Sequence, residues 1–381
     1  MTGNITRRGE HSWRIKYEPG ERHPTTGKRQ TRYVTVRGTK KDAQRELIRL
    51  LAEVDNGMAV EPSKLTIADY LRGWLTNDRD LSPKTRERYR QLAEQQIIPH
   101  LGTTLLQKLK PAQVHDWHGA LLKFGGAGDR PLSARTVGHA HRVLHRALER
   151  ALRLEILSRN VARSIHPPKV EAAEVAILDG SQMAQVLARL DGHPLHVIVA
   201  LALGTGLRRG EICGLAWGSV DGATVRVDRS LEETSEGLRF KPPKTRHGRR
   251  SVTLPLSVVE LLAAHRKRQA EQRLMLGLGR AGADDLLFTL PDGSPYPPDK
   301  LSRDWGNVVR ARNLPKIMFH ALRHSHASAL IAARLDVVTV SRRLGHGSPA
   351  ITLSVYAHAF ASANTDATAA RAIEAAMAAK P

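Results

Sequence analysis

Cysteine occurs once in this 381-residue chain, at Cys213. A single thiol excludes an intramolecular disulfide framework and a cysteine-built zinc ribbon. Its apolar neighbours read it as a small core residue. Aromatic residues are sparse at 4%, although a hydrophobic content of 41% can support real cores. Long apolar runs are also missing. The most apolar stretch, Leu195 to Leu203, is far too short to cross a bilayer. The first residues, MTGNITRRGEHSW, hold no apolar core of signal-peptide length. These absences predict a soluble, cytosolic protein without a membrane partner. Acidic residues are outnumbered as well, 37 Asp and Glu against 59 Lys and Arg, a formal net charge of +22. Such an excess attracts a polyanion, and nucleic acid is the obvious one, although a solvated basic surface would carry the same charge.

The length predicts two or three domains. Residues 1–57 read as a small α+β module. Ser12 to Tyr17 and Gln30 to Arg37 alternate as strands, and a helix follows with Ala43, Leu47, Leu50, Leu51 and Val54 on its apolar stripe. Three strands and one helix with so basic a surface suit a sheet laid in a DNA groove. Arg7, Arg8, Lys28, Arg29 and Arg32 are the candidate contacts, and a basic cap with no specific ligand is the duller account. After a linker with Asn56-Gly57 and Pro62, residues 65–165 read as an all-α bundle. Thr66, Ser82-Pro83, Pro111 and Ser133 are helix-start signals. Its outward basic residues include Lys84, Arg86, Arg135, Arg142 and Arg146, suited to positioning contacts on a DNA backbone. His141 and His145 stand at i and i+4 with no third ligand type nearby, so they are expected to be solvated or DNA-facing. A second linker is expected over residues 160–174, with Pro167-Pro168-Lys169. Residues 175–381 read as a mixed α/β, mainly helical domain. Its expected parts are a buried helix over Leu195 to Leu203, strands at Val225-Val227 and Val252-Leu254, and an Ala-rich C-terminal helix around Ala369, Ile373 and Met377. That tail is expected to dock either on its own domain or on a neighbouring subunit.

Residues 318–358 carry the most chemistry. His320 and Arg323 share a helix face at i and i+3, His346 follows a Leu-Gly turn, and Tyr356 lies in a run of small residues. Cation, imidazole and phenol together suit a phosphate attacked by a tyrosine. Further upstream, Thr205-Gly206-Leu207-Arg208-Arg209-Gly210-Glu211 sets Arg208 at a glycine bend. A guanidinium there can hold two phosphate oxygens, but a salt bridge to Glu211 explains it equally well. Lys244, in Lys241-Pro242-Pro243-Lys244-Thr245-Arg246 between two strands, could be a mobile proton donor or simply a solvated tip.

Taken together, T-G-L-R-R-G-E, then P-K-T with R-R after it, then H-A-L-R-H, L-G-H and a late tyrosine resemble the tyrosine recombinase (phage integrase) family in order and spacing. The resemblance implies a catalytic set of Arg208, Lys244, His320, Arg323, His346 and the nucleophile Tyr356, with Glu211 buttressing Arg208. His324 and His326 are implied to be non-catalytic parts of their helix. Residues 1–57 are similar to the family's arm-binding module and 65–165 to its SAM-like core-binding domain. The implied reaction is site-specific recombination through a 3′-phosphotyrosyl intermediate, needing no cofactor, metal or ATP. His320 would accept the phenol's proton and Lys244 would protonate the leaving hydroxyl. The implied partners are double-stranded DNA attachment sites, a homotetramer on synapsed duplexes, and an accessory DNA-bending or directionality protein, with action at the nucleoid.

Three other functions compete. A metal-dependent strand-transfer enzyme needs clustered carboxylates, and Asp336 is alone between Met318 and His358. A non-catalytic DNA-binding regulator would have no use for Tyr356. A type IB topoisomerase shares the chemistry, but the arm-like module and the tail favour a recombinase.

Overall fold

Apolar and polar residues alternate along three N-terminal strands, which pair as an antiparallel sheet in the order β1 (Gly3–Gly9), β2 (Ser12–Tyr17), β3 (Arg32–Arg37). The computed structural model describes residues 3–18, 31–55, 60, 62–171, 176–243, 246–363, 370–371, 373–374 and 377–378. Ile5 registers with Ile15 and Ile15 with Val34, and α1 (Lys40–Asp55) covers that face with Leu47, Leu50, Leu51 and Val54. The opposite face holds Thr6, Arg14 and Thr35 in one row and Asn4, Lys16 and Tyr33 in the next. Arg14 lies over the Tyr33 ring, 5.3 Å from its centre. Arg7 and Arg32, expected as DNA contacts, register with Trp13 and Tyr17 on the side of the sheet that α1 packs against, Arg7 exposed and Arg32 half-buried. The Arg32 guanidinium donates to the Val60 carbonyl. Lys28 and Arg29 lie outside the described residues.

The chain divides into two compact units, Met1–Glu171 and Ala172–Pro381. Within the first, the sheet module and a helical bundle keep separate hydrophobic clusters. The bundle begins with α2 (Ile67–Asn77), whose N-cap Thr66 accepts from the Asp69 amide. Ser82 caps α3 (Pro83–Leu92) in the same way. The helix then widens into a π turn at Ala93–Ile97 before closing as α4 (Ile98–Leu101). Pro99 has no N–H and crowds the carbonyl four residues back, which accounts for the widening. The loosened Gln96 carbonyl accepts the Trp117 indole N–H at 2.8 Å. Trp117 belongs to α5 (Pro111–Phe124), and α6 (Ala134–Arg153) follows with Val137, Leu144, Ala147 and Leu148 fully buried. His141 is buried, not solvated, and its Nδ1 lies 3.1 Å from Nε2 of the equally buried His118. The expected linker starts late, because Val161 and Ala162 of a short 3-10 turn join this core.

The second unit opens with α7 (Gly180–Arg189), capped by Asp179. Next comes α8 (His196–Thr205), which is apolar on every side and correspondingly buried from Val197 to Leu203. After α9 (Arg209–Gly214), β4 (Val220–Asp221), β5 (Thr224–Val227) and β8 (Arg250–Thr253) form one antiparallel sheet, with Val225 opposite Val252. Between them β6 (Ser230–Thr234) and β7 (Gly237–Lys241) make a hairpin that the sequence reading did not find. Its strands carry charge where a strand pattern calls for apolar residues, and the buried Glu232 is paired with Lys241 and Arg239 across the hairpin. The helices α10 (Leu256–Met275), α11 (Pro298–Ala311), α12 (Phe319–Ala332), α13 (Val337–Leu344) and α14 (Pro349–Ala363) complete the unit. A satellite core of Ala327, Ile331, Val340, Leu344 and Tyr356 joins the last three. In the tail, Ile373 and Met377 are exposed. No described helix is long and apolar enough to cross a membrane.

Candidate active site

Two helices end on left-handed glycines, and both ends point at Arg323. Gly206 (φ +68°) closes α8 and Gly345 (φ +67°) closes α13. A helix C-terminus leaves carbonyls without intrahelical partners. Arg323, in the second turn of α12, donates Nη1 to the Gly206 carbonyl and Nη2 to the Leu344 carbonyl, each at 2.7 Å. Its guanidinium is thereby fixed although the residue is only 3% exposed. Burial first, then the charge of Arg208, pulls the Arg323 pKa down to about 9, which still leaves it protonated at neutral pH. A side chain at position 206 would have its Cβ 2.6 Å from the His326 ring, so glycine is required twice over there.

Immediately past Gly206, Arg208 caps α9. Its backbone N–H donates to Glu211 Oε2 at 2.9 Å and its Nη1 to Glu211 Oε1 at 2.9 Å, while Nη2 reaches the Gly345 carbonyl at 3.4 Å. The Glu211 carboxylate is buried and takes a second arginine, Arg250 of β8, with Nη2 to Oε2 at 2.9 Å. Burial works to raise the Glu211 pKa. The hydrogen bond and charge of Arg250, with those of Arg208, overcome it and hold the group ionised. Arg250 also donates Nε to the Arg343 carbonyl at 2.8 Å, tying β8 to the end of α13. The sequence reading assigned Arg250 no role; the only signal was the Arg-Arg pair after Pro-Lys-Thr.

Gly345 turns the chain so that the His346 N–H donates back to the Ser341 carbonyl at 3.1 Å, a Schellman closure. The imidazole Nδ1 then lies 2.8 Å from the hydroxyl of Thr352, a fully buried residue of α14. Burial, then the charges of Arg323, Arg208 and Arg250, press the His346 pKa down to about 4. One turn after Thr352 comes Tyr356, 3% exposed. Burial raises its phenol to about 12, with Arg323 pulling the other way.

His320 stands in the first turn of α12, exposed and with no hydrogen bond among the described residues. Partial enclosure of the ring, then the charges of His324, Arg323, Arg208 and Arg209, lower its pKa. The Tyr356 hydroxyl does not bond to it. Its partner is His324, one turn on, with Oη and Nδ1 2.7 Å apart. His326 is a structural group: it bonds the Leu203 carbonyl at 2.6 Å through Nδ1 and receives Arg343 Nε at 3.1 Å on Nε2. Arg208, Arg323, His346 and Tyr356 are therefore neighbours, drawn from four separate segments, with His320 at the rim. Lys244 lies outside the described residues.

Residues 177–363 match the phage integrase family, and residues 66–122 match the phage integrase N-terminal SAM-like domain. The tyrosine recombinase XerC-like protein of Caldanaerobacter subterraneus subsp. tengcongensis is 27% identical over 354 residues, 86% of this chain and 88% of that one. Among solved structures, the Tn1549 transposon integrase in complex with a circular intermediate DNA superposes with a TM-score of 0.67 at 22% identity, over 82% of this chain and 99% of the other. A lambda integrase tetramer bound to a Holliday junction gives 0.54 at 18% identity, over 91% of this chain and 92% of the other. Both likenesses establish the fold. With the motif order, the family matches and the paired arginines around a tyrosine in agreement, the chain belongs to the phage integrase family of tyrosine recombinases, enzymes that cut and rejoin DNA in site-specific recombination.

Proposed function

We propose that Tyr356 is the nucleophile of this recombinase and that Arg208, Arg323, His346, His320 and Lys244 are its catalytic partners. The observation that carries the reading is the convergence of two arginines and a tyrosine from α9, α12 and α14. Tyr356 attacks the scissile phosphorus, the bond to the 5′ oxygen breaks, and a 3′-phosphotyrosyl link preserves the bond energy for rejoining. Arg208 and Arg323 bind the non-bridging oxygens as charge builds on them, and His346 adds a hydrogen bond through the ring edge not engaged by Thr352. Losing one such preorganised donor costs on the order of 3 kcal/mol in the transition state, about a hundredfold in rate. His320, at the open rim, contacts the phosphate from the solvent side, and Lys244 delivers a proton to the departing oxygen. Glu211 positions Arg208. Both of its oxygens are engaged by arginines, so it has none to spare for a metal.

The same reading gives the first unit the task of holding DNA. Arg135, Arg142, Arg146, Arg150 and Arg153 recur at helical spacing along α6, and all five are exposed. On the sheet module the solvent face with Arg14, Lys16, Tyr33 and Thr35 is the better candidate for groove contacts than Arg7 or Arg32. The working assembly is a tetramer on two synapsed duplexes in the nucleoid, a reading supported by the fold shared with the lambda integrase tetramer.

The test uses the duplex that the protein protects from nuclease in DNA flanking its own coding sequence, nicked just 3′ of the scissile phosphate. The short 5′-hydroxyl fragment diffuses away and traps the covalent adduct. Wild-type protein is expected to form the adduct in EDTA, and Tyr356→Phe none. A wild-type protein that binds this DNA without any adduct would instead be a regulator.

A further inference from the structure

We infer that His324 is a catalytic residue of this recombinase, the group that receives the Tyr356 phenol's proton as the nucleophile attacks. The inference rests on Tyr356 being the nucleophile, and it departs from the family pattern, which gives the second histidine of H-A-L-R-H no chemical part. Three observations carry it. Tyr356 is 3% exposed, so its hydroxyl proton cannot be handed to bulk water. Its one hydrogen-bond partner among the described residues is His324 Nδ1, at 2.7 Å. And this contact is made inside the cationic cluster, with Arg323 close enough to act on the phenol, so the bond is made where the chemistry takes place.

The His324 ring is held for the task. It sits between Tyr356, whose ring centre is 5.6 Å away, and His320, which meets it edge-on at 5.1 Å. Burial, then the Arg323 charge, holds its pKa below the ordinary imidazole value, so it is neutral and able to accept at pH 7. The charged and titratable groups that act on it directly are His320 and Arg323 on its own helix, Tyr356 on α14 and His346 after α13, with Arg208, Glu211 and Arg250 beyond them around Arg323. Most of these are cationic or neutral, and Glu211 is the single carboxylate. The negative charge of an arriving phosphodiester offsets them and makes the imidazole more basic when a base is needed. The step balances. The Oη–H proton passes to Nδ1, the Oη electron pair forms the new P–O bond, and the P–O5′ bond breaks. The electron pair left on O5′ then takes a proton from Lys244. Rejoining runs the same transfers in reverse, and His324 returns its proton to the tyrosine.

The experiment measures single-turnover adduct formation by the full-length chain on the nicked duplex from pH 5 to 9, for wild type, His324→Asn, His324→Ala, His320→Ala and Tyr356→Phe. Asparagine keeps an acceptor oxygen near the Nδ1 position, so the hydrogen bond and the fold survive, but it cannot hold a proton. His324→Asn and His324→Ala are expected to form adduct roughly a hundredfold slower than wild type. They should also lose the fall in rate that wild type shows on the acid side, while binding the same DNA equally well. His320→Ala is expected to slow the reaction without removing that acid-side fall. A His324→Asn protein that cleaves within threefold of wild type with an unchanged pH profile overturns the inference. So does faster cleavage, which would make His324 a restraint on the tyrosine. If Tyr356→Phe still forms the adduct, the nucleophile assignment fails; if Tyr356→Phe is inert while the His324 variants behave as wild type, only the role of His324 fails.

Discussion

Arg250 and Glu211 form an ion pair with both side chains out of solvent, Nη2 to Oε2 at 2.9 Å and side-chain exposures of 7% and 4%. Through Glu211 this pair orients Arg208, and through the Arg343 carbonyl it anchors the end of α13. Removing one partner of a buried pair strands the other, at a cost of about 3–5 kcal/mol. Glu211→Ala and Arg250→Ala are each expected to lose stability in that range in denaturant titrations, and to lose cleavage beyond what unfolding explains. Glu211→Leu combined with Arg250→Met should regain much of the stability and none of the cleavage. A double variant as unstable as the single ones would show that the pair contributes through packing alone.

Gly206 offers a sharper test because a control glycine is available. Alanine at 206 would face a left-handed backbone and the His326 ring at 2.6 Å, with the Arg323 anchor on the adjacent carbonyl. Gly222 (φ +53°) has a left-handed backbone too, but nothing lies within 4 Å of its would-be Cβ. Gly222→Ala is expected to cost only the backbone strain, about 1–2 kcal/mol. Gly206→Ala should cost clearly more and should also cut adduct formation by disturbing Arg323. Equal melting shifts for the two variants would remove the special role given to this turn.

The motifs of the candidate site were legible in the sequence because each stands at a local feature that sequence controls: a glycine turn, a helix face, a helix cap. Thr66, Ser82 and Ser133 announce helices for the same reason. What stayed hidden depends on non-local partners. The β6–β7 hairpin buries Glu232 only because Lys241 and Arg239 come across to meet it. Arg250 looks like any surface arginine until β8 carries it to Glu211, 39 residues away in sequence. His324 reads as one more helix residue until α14 folds Tyr356 against it. Which face of the N-terminal sheet Arg7 and Arg32 take was not legible, because side-chain direction depends on strand register, and one step of register reverses every side chain.

The buried His118–His141 pair makes the helical unit sensitive to acid. Burial, then His118, His145, Arg142 and His166, lowers the His141 pKa from 6.5 to about 4, and burial, then His115, lowers His118. Above pH 6.5 both folded and unfolded chains are neutral here and the pair costs nothing. Below it the unfolded chain takes up a proton that the folded one refuses, so stability falls until about pH 4, by about 3 kcal/mol for His141 alone. Melting temperatures measured from pH 7 to 4 should fall for wild type and fall less for His141→Asn, which has no proton to gain. Parallel curves would place the acid sensitivity elsewhere.

The α6 arginines should behave as backbone contacts and not as readers of sequence. Arg142 and Arg146 are exposed on the helix that carries the row, with Arg146 packed 5.7 Å over the Tyr89 ring. Each phosphate contact contributes about 0.9 to the slope of log affinity against log salt. Replacing both residues with alanine should therefore flatten that slope by roughly 2 and weaken specific and non-specific duplexes alike. The pair Arg14→Ala and Lys16→Ala on the open sheet face should instead cost more on the protein's own site than on unrelated DNA. If both pairs weaken every duplex equally, the sheet face holds DNA without reading it. Sequence choice would then rest with the second unit.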